Sequence, residues 1–170
     1  MDFINYCRKC ENSVCCSKPF YAFATETERD NIRAYLKANN FVENNDEIYQ
    51  KRVHNGITYY VINKKNDGKC LFLKEDKSCL IQPVKPLDCQ LWPITFDYKP
   101  KTNELIIYLG NCVAVKEMKK LKVLEQWVNE YKAILLNNVI KYKKDDLIAY
   151  SSLPSIAKLK KIVKMTLTHF

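Results

Sequence analysis

Four cysteines within ten residues constrain this chain more than any other feature: Cys7, Cys10, Cys15 and Cys16, in the run Cys7-Arg8-Lys9-Cys10-Glu11-Asn12-Ser13-Val14-Cys15-Cys16. So dense a set is too many thiols for a hydrophobic core and too closely spaced for a disulfide ladder. Cys-x-x-Cys lets two thiolates turn toward one centre, the usual opening of a zinc or iron–sulfur site. Adjacent side chains diverge, so Cys15 and Cys16 are expected to serve different metals or different corners of a polynuclear cluster. Cys70, Cys79, Cys89 and Cys112 follow in a middle region broken by turn residues. Eight cysteines supply two four-thiolate sites, or one large cluster with ligands to spare.

At 170 residues the chain is expected to form a single domain over 1–170, large enough to bury a core without covalent staples. Residues 7–112 form its cysteine-cluster metal-binding core and 113–170 a C-terminal helical extension. Met1–Tyr6 carries no basic region followed by an apolar run, so no signal peptide is expected there. No apolar stretch approaches the roughly 20 residues of a membrane span. The expected compartment is the cytoplasm, where thiols stay reduced and clustered cysteines mean metal or catalysis rather than disulfides.

The net charge of +9 is unevenly placed. Residues 116–170 hold twelve Lys against five Asp and Glu, a net of +7, which leaves the cysteine-bearing part at +2. A basic tail permits attraction to nucleic acid or an acidic partner. The plainer reading of such a run is a solvated face on Lys-rich helices.

In chain order, Thr25-Glu26-Thr27-Glu28 reads as a capping box for a helix running to about Asn39, with Ile32, Tyr35 and Leu36 as its apolar stripe. Glu47–Val53 and Ile57–Asn63 flank Asn55-Gly56, the strongest short hairpin signal, because both residues tolerate positive φ. His54 beside that turn reads as a surface residue. Asn66-Asp67-Gly68 turns the chain into Cys70-Leu71-Phe72-Leu73, and Glu75-Asp76-Lys77-Ser78 turns it again into Cys79-Leu80-Ile81. Each of these cysteines stands at a turn edge with apolar residues behind it, a setting that suits a metal ligand. Pro83, Pro86 and Pro93 put Cys89 on irregular backbone.

Ile94–Tyr98 and Glu104–Leu109 read as a second hairpin, whose closure should return Cys112 to the neighbourhood of Trp92-Pro93 and hence of Cys89. Beyond Lys116, Leu121, Leu124, Val128, Tyr131, Leu135, Val139 and Tyr142 predict one long amphipathic helix over 116–142, its stripe widened by Trp127 and Ile134. Pro154 with Ile156, Leu159, Val163 and Leu167 predicts a second helix over 154–167, presenting Lys158, Lys161 and Lys164 outward. The expected fold is α+β: a small irregular cysteine-rich metal-binding core with short β-hairpins, packed against an N-terminal helix and two C-terminal helices.

These residues together resemble the YkgJ-like cysteine-cluster family, also called the CxxCxxCC zinc- or iron-chelating domain. That family opens with Cys-x-x-Cys and a vicinal pair, matched by Cys7, Cys10, Cys15 and Cys16. It continues with a Gly-x-Cys-x-Phe-Leu-like segment, here Gly68-Lys69-Cys70-Leu71-Phe72-Leu73. A Cys-x-Ile block then runs into Arg-Pro-x-x-Cys-Arg-x-Phe-Pro. Here these read Cys79-Leu80-Ile81 and Lys85-Pro86-Leu87-Asp88-Cys89-Gln90-Leu91-Trp92-Pro93, with Cys112 as the eighth cysteine. The chain departs by placing four residues between Cys10 and Cys15, where many members have two, and by Lys85 and Gln90 at common arginine positions. The resemblance implies metal or iron–sulfur chelation by the eight cysteines.

Two functions use the same thiolates. One is an iron–sulfur protein for electron transfer, or an accessory to an oxidoreductase or modifying enzyme that would be its protein partner. The other is a zinc module, of up to two ions, that holds the fold and presents basic helices to nucleic acid or a protein. The vicinal pair and the surplus over four ligands tip the balance toward iron–sulfur, and a nucleic-acid partner is not favoured. A stand-alone enzyme such as a methyltransferase is poorly supplied. No Gly-rich loop follows a strand, and His54 and His169 stand far apart without an evident nucleophile.

Overall fold

The computed structural model describes residues 10, 14–17, 19–41, 45–110, 112–151 and 160–166. They group into two compact units, Met1–Gln90 and Leu91–Phe170. The class is α+β, with two antiparallel hairpins and several helices. No helix among the described residues is long and apolar enough to cross a membrane.

The first unit opens with a 3₁₀ turn at Val14–Cys16 and helix α1 (Glu26–Ala38). Thr25 caps α1 as its sequence predicts. Its hydroxyl accepts the Glu28 N–H, and the Glu28 carboxylate accepts the Thr25 N–H at 2.8 Å. The helix ends at the Asn39 cap because Asn40 adopts φ 58°, and the Phe41 N–H folds back onto the Leu36 carbonyl at 2.9 Å. A short helix α2 (Asn45–Ile48) leads into strand β1 (Tyr49–His54), which pairs in register with β2 (Ile57–Ile62) from Tyr49↔Ile62 to His54↔Ile57. Asn55 and Gly56 close this hairpin at φ 49° and 77°, the positive values a two-residue turn needs to match strand twist. Ile32 and Leu36 of α1 pack with Ile48 of α2, Tyr49 and Ile62 of the hairpin, and Phe72 and Ile81 of the following loop, in one buried cluster. Burying such side chains contributes about 1.5–3 kcal/mol each, so this cluster is what fixes the loop against the helix. The unit closes with a 3₁₀ turn at Gln82–Val84 and the short helix α3 (Leu87–Leu91) at the junction.

In the second unit, β3 (Ile94–Lys99) and β4 (Glu104–Leu109) form the expected second hairpin. Alternate residues Leu105, Ile107 and Leu109 are buried. Gly110 continues from β4 and donates its N–H to the Pro93 carbonyl at 2.7 Å, so the hairpin ends meet as its topology requires.

The C-terminal elements depart from the sequence expectation twice. The single helix expected over 116–142 is two helices, α4 (Val113–Lys120) and α5 (Leu124–Val139). Lys122 sits between them in the left-handed region at φ 58°. The Val123 N–H bonds the Met118 carbonyl and the Lys122 N–H bonds the Lys119 carbonyl, a Schellman stop built without glycine. The break lets Met118 and Trp127 both bury, whereas Leu121, an expected stripe residue, is exposed, as is Ile134. Helix α6 (Lys144–Ser151) then packs on β3, with Tyr150 stacked on Phe96 at 4.0 Å and hydrogen-bonded to Thr95.

The helix expected over 154–167 is not formed over 160–166. That segment is strand β5 (Lys160–Thr166), antiparallel to β4, with a bulge that skips Ile162 between Ile107↔Val163 and Tyr108↔Lys161. Pro154, Ile156, Lys158, Leu159 and Leu167 lie outside the described residues. Three- and four-residue spacing was a weak guide here because Ile162, Val163 and Thr166 are β-branched, and the open edge of β4 offers a ladder that local propensity does not encode.

Gly110 packs so closely that a Cβ there would stand 2.9 Å from the Trp92 ring and 3.1 Å from the Pro93 carbonyl oxygen. Gly110→Ala is therefore expected to destabilise the second unit by about 1–3 kcal/mol through overpacking. The measurement is urea unfolding followed by Trp fluorescence; an unchanged midpoint would mean that the Trp92 ring yields freely.

Candidate metal centre

The loops of the first unit fold the spaced cysteines back toward one another. Cys16 ends the first 3₁₀ turn, and its carbonyl accepts the Cys70 N–H at 2.6 Å, beside a bridge from Ser17 to Lys69. Gly68, at φ 81°, makes the turn before Cys70 and donates to the Lys65 carbonyl at 2.9 Å. From Cys70 the chain turns at once, the Leu73 N–H bonding the Cys70 carbonyl at 3.0 Å. The return leg pairs Leu73 with Cys79 and is closed by the Leu80 N–H on the Phe72 carbonyl at 2.9 Å. Phe72 and Ile81 plunge into the core, which anchors this double turn, and half-buried Cys70 and Cys79 pack against that core.

Cys89 is brought in by α3, whose start is held by two carboxylates. Glu28 accepts the Leu87 N–H at 2.8 Å with the oxygen that its capping role leaves spare. Asp88 accepts the Phe23 N–H at 3.0 Å. Neither tie was expected from the sequence. The capping box marked Glu28 as a helix-starting residue but not its second oxygen, and nothing in the pattern pointed to Asp88.

Four of these thiols lie within electrostatic reach of one another. Cys79 feels the charges of Cys70 and Cys16, and Cys89 those of Asp88, Cys70, Cys16 and Cys79. Burial dominates at three of them. It pushes the Cys79 thiol up to about 11, raises Cys70, and raises Cys89 well above the ordinary range. Cys16 goes the other way, down to about 7. The Cys15 thiol hydrogen-bonds it with sulfurs 3.9 Å apart, and Lys64 and Lys85 add positive charge against the cost of burial. Metal-free, the group is thus one acidic thiol beside three that stay protonated. Among the described residues, no group of three or more Cys, His, Asp or Glu side chains is already arranged to hold a metal ion.

The other expected ligands are Cys7, Cys10, Cys15 and Cys112. Cys10 is half-buried ahead of the 3₁₀ turn, and Cys15 adjoins Cys16 within it. Cys112 belongs to the second unit, where it occupies the N-cap position of α4. Cys7 lies outside the described residues, as does His169. His54 is exposed at the end of β1, as expected of a surface residue. Compared with family models, curated proteins and solved structures, the chain matches none.

The opposed thiol shifts define a pH signature for the metal-free protein. Cys16 should alkylate with a midpoint near pH 7 and Cys79 near pH 11, as mapped by mass spectrometry. Cys15→Ala should move the Cys16 midpoint upward. For Cys79 the folded state favours the proton, so its contribution to stability is full below the ordinary 9.0 and is lost as pH rises through about 11. Cys16 contributes in the opposite sense, being lost as pH falls from 9.0 through about 7. A uniform alkylation midpoint near 9 for both thiols would contradict this placement.

Proposed function

We propose that this chain is a metal-binding cysteine-cluster protein that carries an iron–sulfur cluster, for electron transfer or as an accessory to an oxidoreductase or modifying enzyme. The single observation that carries the reading is the mutual proximity of Cys16, Cys70, Cys79 and Cys89, drawn from segments as far apart as residues 16 and 89. A structural core has no need to bring four thiols from four turns together, whereas a thiophilic metal does.

The chemistry of the donor set fits a metal. Burial holds three of the thiols still more firmly protonated than an ordinary cysteine, and a bound metal deprotonates a coordinating thiol outright. Lys64 and Lys85 lie close enough to Cys16 to offset part of the negative charge that four thiolates bring. Buried Phe72, Ile81 and Leu87 supply apolar walls, of the kind that tune redox potential by excluding water. Cys7, Cys10, Cys15 and Cys112 are the further ligands proposed for a larger cluster or a second ion, following the cysteine order shared with the YkgJ-like family.

A zinc module is the second reading, and one observation favours it. The thiols within electrostatic reach of one another number four, as many as a structural zinc ion takes. In that case the basic residues, rather than the metal, would face a nucleic-acid or protein partner.

Anaerobic purification with absorption spectroscopy and metal analysis separates these readings. Iron–sulfur predicts a brown protein with broad absorption near ~400 nm and iron matched by acid-labile sulfide. Zinc predicts a colourless protein with one or two ions. Cys79→Ala and Cys89→Ala should each lose most of the bound metal, and stripping the metal should lower the thermal midpoint of the first unit. Protein that holds neither metal after anaerobic purification and reconstitution would sink both readings.

A further inference from the structure

Helix α1 carries a second, separate piece of chemistry on its middle turns. The Arg29 guanidinium carbon lies 3.9 Å from the centroid of the Tyr60 ring and 5.9 Å from that of Tyr49. One helical turn on, Arg33 stands 5.4 Å from the same Tyr49 ring. Two arginines one helical turn apart thereby share a tyrosine platform supplied by the β1–β2 hairpin. Like charges so placed repel, and among the described residues the one ion pair at this site is that of Asp30 with Arg33. The Arg29 Nε is buried without a hydrogen-bond partner. Among the described residues no carboxylate forms an ion pair with Arg29. The adjacent Glu28 carboxylate has one oxygen on Thr25 and the other on Leu87. Among the described residues Arg33 pairs with Asp30 alone, at 3.0 Å on an exposed edge, through one of its five N–H donors.

A buried donor with no acceptor is costly, and native proteins keep few of them. An arginine already pinned by an aromatic ring has lost its side-chain freedom in advance, so a ligand that takes its terminal N–H groups meets a pre-formed fork. We propose that Arg29, seated on Tyr60 and joined by Arg33 across the Tyr49 ring, binds an oxyanion of the phosphate class. A phosphate offers several acceptor oxygens and up to two negative charges to two guanidiniums, where a carboxylate offers two oxygens and one charge. Burial holds the Tyr49 phenol protonated, up to about 12, so it adds no competing negative charge at neutral pH. The phosphate could belong to a free phosphate or phosphate monoester, or to a nucleic-acid backbone. Arg29 already covers one face of Tyr60, which blocks base stacking there and favours the free form.

The test is an NMR titration of the arginine Nε–Hε signals in the full chain at constant ionic strength. Inorganic phosphate should move the Arg29 signal saturably at concentrations up to about 10 mM, the millimolar range of a single small-anion site. Acetate should act at least tenfold more weakly. Arg29→Lys retains the positive charge but not the planar fork, and should bind roughly tenfold or more weakly, as read from the Arg33 signal. Arg29→Gln should abolish the saturable response. Should Arg29→Gln unfold, which its thermal midpoint would reveal, the lysine variant carries the comparison. A short single-stranded oligonucleotide that half-saturates the Arg29 signal well below inorganic phosphate assigns the phosphate to nucleic acid; one that does not assigns it to a small phosphate compound. The proposal is overturned if the wild-type Arg29 signal shows no saturable shift, if acetate matches phosphate, or if Arg33 responds alike in the wild type and the lysine variant.

Discussion

The Cys70 N–H donates to the Cys16 carbonyl across 2.6 Å, and that one backbone contact joins two thiol-bearing turns separated by more than fifty residues of chain. The rest of the first unit serves to hold this contact in place. Phe72 and Ile81 anchor the loop that carries Cys70 and Cys79, and they do so by burial against Ile32 and Leu36 of α1. Glu28, in the first turn of the same helix, holds the start of the segment that carries Cys89. The thiol group is therefore positioned by the hydrophobic face and the N-terminus of a single helix, and among the described residues no disulfide joins Cys16, Cys70, Cys79 and Cys89.

This arrangement divides the labour of α1 along its length. Its capping residue Glu28 satisfies backbone donors at two helix starts at once, an economy that a Gln at that position would weaken by removing charge from both hydrogen bonds. Its inner face fills the core. Its middle turns carry Arg29 and Arg33 onto the tyrosines of the hairpin. The thiol group and the arginine pair thus hang from one rigid element while using different residues of it, so substitutions in one need not disturb the other.

The sequence was legible where local rules act alone. Thr25 and Glu28 specified a capped helix, Asn55-Gly56 a two-residue hairpin, and the runs Ile94–Tyr98 and Glu104–Leu109 a second one; each forms where expected. The turn-edge positions of Cys70 and Cys79 were also readable, because Gly68 and the Glu75–Ser78 run mark sharp reversals. Legibility failed where a distant partner decides. Lys122 carries no glycine-like signal, yet it takes the left-handed conformation that separates α4 from α5. Residues 160–166 satisfy a helical spacing but pair with β4, whose open edge lies about fifty residues back along the chain. Within the thiol group, the cysteines themselves were visible, but the residues that position and charge it were not. Asp88, Lys64 and Lys85 acquire their roles only through tertiary contact.

The central claim is that Cys16, Cys70, Cys79 and Cys89 share a metal. X-ray absorption at the metal edge of anaerobically purified protein tests it most directly. The account predicts a first coordination shell of sulfur alone at about 2.3 Å. It also predicts a metal–metal distance in the same spectrum if the centre is an iron–sulfur cluster. A shell dominated by oxygen or nitrogen at about 2.0–2.2 Å, or one left unchanged when Cys79 and Cys89 are both replaced by alanine, would contradict it.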